Sequence, residues 1–157
     1  MTETKRRTFE KVHEAMNGKG KLMARHLPTI ARFLMGLLFT VTGLNGFLNF
    51  LPQPESMPEG AAAFAGALMK TGYMFPLIMG TQLIAGALLL SNFFVPLALA
   101  LIAPIIVGIV TFHIFLAPSG MAMAAVVLIL EIYLAWSYRK AYRPMLALRA
   151  KPGDEPK

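Results

Sequence analysis

The chain has 157 residues, enough for one domain, and carries a formal net charge of +7 with 56% hydrophobic and 15% charged residues. Between Phe33 and Tyr138 the only Lys, Arg, Asp or Glu residues are Glu55, Glu59, Lys70 and Glu131, which excludes a soluble protein's surface and indicates a membrane domain. Nucleic-acid binding is excluded because the basic residues flank apolar runs with no interleaved aromatic platform, and the absence of cysteine excludes disulfide relay, thiolate metal sites and iron–sulfur ligation by this chain alone.

Residues 1–27 form a basic tail, expected to be partly helical on the membrane surface and interrupted at Gly18 and Gly20. The first apolar run begins only near Leu27, so no cleavable signal peptide is expected. The first span is predicted over Pro28–Leu48, with Pro28 in its first turn, where a missing N–H costs nothing. A proline-rich loop with Glu55 and Glu59 follows. Residues 58–70, started by Pro58, read as a short interfacial or re-entrant helix on the outer face, because they are too few to span.

The second span covers about Tyr73–Ser91 and reaches a tight turn, Ser91–Phe94. The third covers about Val95–Leu116, with Pro104 in its interior predicted to kink it and to free the carbonyl of Ala100. After the outer turn Ala117–Gly120, the fourth span runs over Met121–Tyr138 and ends in an interfacial anchor of Trp136, Tyr138 and Arg139. Residues 144–157 form a second basic tail. Eight Lys/Arg lie at or before the first span and six follow the last. The positive-inside rule then puts both termini in the cytoplasm and requires an even number of spans. The expected fold is an all-α membrane protein, a four-transmembrane-helix bundle over residues 28–143 with antiparallel neighbours. Its basic tails favour anionic lipid headgroups.

Glu131 is the only acid between Glu59 and Asp154. At the centre of a membrane helix an ionised acid costs about 2.5–3.5 kcal/mol on insertion scales. A helix rise of 1.5 Å per residue puts Glu131 about 12 Å and Gln82 about 13–14 Å from the cytoplasmic ends, and Asn45 and His113 about 25 and 27 Å from them. Two polar layers are expected. The inner one is a Gln82–Glu131 pair, in which a protonated acid donates to the amide oxygen and accepts from the amide nitrogen. The outer one holds Asn45 and His113, with Tyr73 near that level. Each layer has a plain reading, in which hydrogen bonds only fix helix register, and a functional one, as proton or quinone contacts. Haem is disfavoured, because His13 and His26 lie on the side opposite His113. The methionines lack metal-site spacing and read as packing, so no metal site is expected. The glycines of Thr42-Gly43-Leu44-Asn45-Gly46 and Ala85-Gly86-Ala87 read as surfaces for close helix approach.

Four segments in order, GLLFTVTGLNGFLNFLP, GYMFPLIMGTQLIAGALLL, FVPLALALIAPIIVGIVTFHIFLAPSG and LEIYLAWSYR, resemble the DoxX family over residues 28–143. The resemblance implies a small four-span protein of the bacterial cytoplasmic (inner) membrane. The family takes its name from a subunit related to a thiosulfate:quinone oxidoreductase. Asn45, His113 and Glu131 match the family pattern, whereas Gln82 stands where relatives carry Glu, and Gly108 where they carry Asn. The function expected on this basis is a membrane subunit of a quinone-linked oxidoreductase, with quinone near Asn45, His113 and Tyr73 and Glu131 as proton acceptor. A membrane redox partner or bound cofactor would carry the electrons. The alternatives are a non-enzymatic membrane scaffold or assembly factor and a small proton-coupled carrier; the last calls for a homo-oligomer, because no inverted repeat is evident.

Overall fold

A computed structural model describes residues 3–52 and 57–142, the first 23 of these as backbone only. The basic C-terminal tail and Glu55 lie outside the described residues. Helix α1 covers Glu3–Leu48, α2 Glu59–Lys70, α3 Met74–Ser91, α4 Val95–Phe115, α5 Met121–Ser137 and α6 Arg139–Tyr142, with a 3₁₀ turn at Pro118–Gly120. Four helical segments are long and apolar enough to cross a membrane: His26–Leu48, Met74–Ser91, Val95–Phe115 and Pro118–Ser137. The architecture is the expected all-α bundle, and no strand occurs among the described residues.

The first boundary differs from expectation. Helix α1 passes through Gly18, Gly20 and Pro28 without a break. A glycine costs a helix interior only about 1 kcal/mol, and extending a helix already nucleated by the span adds one hydrogen bond per residue fixed. Pro28 therefore sits inside the helix and removes one backbone donor there.

The four long helices form a ring. Helix α3 packs against α1 and α4, and α5 packs against α4 and α1. Consequently α1 faces α4 across one diagonal and α3 faces α5 across the other. The core inside this ring is built from Ala31, Met35 and Phe39 of α1, at four-residue spacing, with Leu89 of α3, Ile102 and Ile106 of α4, and Val127 and Leu134 of α5. Outward positions such as Leu77, Ile84, Ile129 and Ile132 are exposed. Apolar surface that extensive suits contact with lipid.

The tightest seam joins α1 to α3. A Cβ at Gly43 would fall 2.7 Å from the Leu83 nitrogen and 2.9 Å from the Met79 carbonyl oxygen, and one at Gly86 would lie 2.9 Å from the Gly36 carbonyl oxygen. Glycine at these positions lets the two backbones touch. At the end of the bundle that carries the chain's basic flanks, the α3–α4 turn holds Asn92 and Phe94 at positive φ (60° and 50°). Arg32, counted in the sequence among the flanking cations, is instead buried and closes α3. Its guanidinium donates to the carbonyls of Leu89 and Leu90, in the last turn, where helix carbonyls lack an i+4 partner.

Candidate functional site

An apolar cavity of about 470 Å³ opens between α2, α3 and α4. Helix α3 lines it with Phe75, Ile78, Met79 and Gln82, at i, i+3, i+4 and i+7, one helical face. Helix α4 presents Pro104, Ile105, Gly108, Ile109 and Phe112 in the same way. Helix α2 supplies Phe64 and Leu68, one turn apart, and the Phe64 ring rests on Phe112 with centroids 5.8 Å apart. The space exists because α4 brings small groups to this face. A Cβ at Gly108 would meet nothing within 4 Å.

Gln82 and His113 are the polar side chains that line the cavity. Gln82 is only 6% exposed. Its Oε1 lies 2.8 Å from the hydroxyl of Thr42 on α1, which also lies 2.9 Å from the carbonyl of Leu38. A hydroxyl has one proton, so it donates to one of these oxygens at a time. If it serves Leu38, the amide turns and donates its N–H to Thr42 instead. In either state the other half of the Gln82 amide forms no hydrogen bond with the described residues. His113 Nδ1 lies 2.8 Å from the Ile109 carbonyl oxygen. A neutral ring donates there and leaves Nε2 as the free acceptor. Gly120 packs so closely on the ring that a Cβ there would collide with it. The two polar groups are about 13 Å apart along the bundle, from the helix rise.

Of the remaining expected site residues, only Pro104 shares the cavity. Asn45 ends α1: its Oδ1 accepts from the Leu51 N–H at 2.7 Å. Tyr73 is 64% exposed, and neither it nor Asn45 lines the cavity. Glu131 is buried on α5, and its Oε2 has no hydrogen-bond partner among the described residues. The expected Gln82–Glu131 bond is not formed, and the ring order explains why. The two residues belong to diagonal helices, and Gln82 has turned to Thr42 on its neighbour. Asn45 and His113 are separated by the other diagonal. With neighbouring axes about 8–10 Å apart, a diagonal exceeds the reach of most paired side chains. Thr42 was legible in the sequence only as part of a close-packing segment. Among the described residues, no three His, Asp or Glu side chains gather as a metal site. No family model, curated protein or solved structure matches the chain.

Proposed function

We propose that this protein is a membrane subunit that binds a quinone-type lipophile for a partner oxidoreductase, as the resemblance to the DoxX family implies. The observation that carries the reading is the cavity itself: apolar walls of a volume that suits a small ligand, with the half-paired amide of buried Gln82 in its lining. A ring carbonyl accepts from that amide, Ile78, Met79, Pro104 and Ile105 flank the ring, and the tail runs toward His113 and the lipid. His113 is too far along the bundle to hold the same ring. It stands at the mouth, where a polar group guides entry. In this reading the basic end is cytoplasmic, the membrane is the bacterial inner membrane, anionic lipid headgroups gather at the basic tails, and electrons come from the partner.

The test is photolabelling of the full chain in lipid nanodiscs with an azido-quinone, followed by peptide mapping. Labels are expected on α3 and α4 and nowhere on α5. Gln82→Leu should weaken competition by unlabelled short-chain quinone roughly fivefold, about 1 kcal/mol for one hydrogen bond. Gly108→Leu should fill the cavity and abolish labelling. Labelling that ignores both substitutions would sink the proposal.

The unbroken α1 favours a second reading, a scaffold. Its 46 residues continue well beyond the span and present a basic helical arm to a partner. Loss of partner capture on deleting residues 3–22, with quinone labelling unchanged, would select it.

A further inference from the structure

A second polar centre lies apart from the cavity. Glu131 sits on α5, and no residue of α5 lines the cavity. Its side chain is 8% exposed, on the same inward face as Val127 and Leu134. Oε2 is sealed from solvent and forms no hydrogen bond among the described residues. A buried carboxylate that leaves an oxygen unpartnered is strongly disfavoured unless it gains a proton or a counter-charge.

Among the described residues, no side chain of the elements packed on α5 bonds the Glu131 Oε2. Helix α1 contributes, among its described side chains, His26, which is exposed, and Arg32, whose guanidinium is directed to the carbonyls of Leu89 and Leu90. Helix α4 has one titratable side chain, His113, at its far end. On α6, Lys140 is exposed, and Arg139 lies over the Trp136 ring at 4.9 Å and donates to the Trp136 carbonyl. On α5 itself, Tyr133 is half-buried; Tyr138, also half-buried, follows directly. The remaining group is Tyr142. Its phenol, on the short helix that directly follows α5, donates to the Pro96 carbonyl at 2.8 Å. Burial first, and then the charge of Glu131, push that phenol up to about 12.

We propose that Glu131 is a proton-exchange site served from the basic end of the bundle, with Tyr142 as the plug between the carboxyl and water. Proton uptake forms one O–H bond on the carboxylate and neutralises it. The proton comes from hydronium or a buffer acid at that face and returns by the same route, and no electron moves. Opening requires little. Helix α6 is four residues long, and the Tyr142–Pro96 hydrogen bond ties it to the start of α4. The site stands independently of the quinone reading, because it shares no residue with the cavity.

Infrared spectroscopy of the full chain in lipid vesicles tests this. The expected result is a protonated-carboxyl band that shrinks as pH rises and shifts on transfer to D₂O. Glu131→Gln should remove the band. Labelling the wild-type chain with ¹³C-glutamate assigns it even if that variant fails to fold, since exposed glutamates are ionised near neutral pH. Tyr142→Ala should accelerate the D₂O shift several-fold. The proposal is overturned if no such band appears at any pH, if the band never exchanges even in Tyr142→Ala, or if Tyr142→Ala leaves the exchange rate unchanged.

Discussion

The two faces of α3 show what a membrane bundle does with small residues. Toward α1, Gly43 and Gly86 stand where any added methyl would strike backbone, and the helices close to contact around the Thr42–Gln82 hydrogen bond. Toward α4 and α2, Gly108 stands where a methyl would meet nothing, and a cavity remains. The same residue type therefore closes one interface and leaves the other open. What differs is the neighbour. The seam glycines oppose the backbone of an adjacent helix, whereas Gly108 shares its face with Pro104 of the same helix, opposite the bulky side chains of α3 and the ring of Phe64.

The largest expected effect comes from breaking that contrast directly. Gly43→Ala should destabilise the bundle by about 1–3 kcal/mol, the usual range for overpacking, while Gly108→Ala should leave stability unchanged. Thermal unfolding of both variants in the same detergent decides the matter, and equal losses would mean that the seam is not what holds α3. A smaller effect is expected from Thr42→Val, about 0.6 kcal/mol as for a typical intramembrane hydrogen bond. It sharpens the comparison by removing the polar link between the closed and open faces without changing volume.

The mildest change should come from Tyr142→Phe, which touches neither face. In the folded chain the phenol holds its proton up to about 12, against 10.0 ordinarily. Between those values the unfolded chain has released the proton and the folded chain has not, so stability falls as pH rises, having been complete below about 10. Ultraviolet titration of tyrosinate should show one late group that disappears in Tyr142→Phe. Glu131→Gln should bring its midpoint part of the way back, because burial remains.

The spans, their order and the short helix α2 were legible because each is a local property of hydropathy and length. The glycine segments also announced close approach correctly. The polar partners were not legible, and the reason is geometric. Helix rise speaks only to how deep a residue lies, and it was the ground for expecting Gln82 and Glu131 at one level. Depth says nothing of azimuth, and around a four-membered ring the residues of one layer are as often diagonal as adjacent. Thr42 escaped notice because it sits within a glycine run whose packing meaning was sufficient by itself. Arg32 looked like one more flanking charge, since burial against the end of another helix leaves no mark in a single sequence. The continuity of α1 was hidden for the opposite reason. Glycine and proline are local signals of interruption that a long, already nucleated helix overrides.

The ring order has a consequence for how the protein is made. Three of its four main contacts join helices that follow one another along the chain, apart from the short α2 between α1 and α3. Such contacts form early and quickly. The fourth, between α1 and α5, cannot form until α5 has been made. Glu131 arrives on α5, so its carboxyl has no bundle interior to enter until α1, α3 and α4 have assembled the surface that receives it. Closing the ring and burying the acid are one event, and a chain stopped before α5 would lack both.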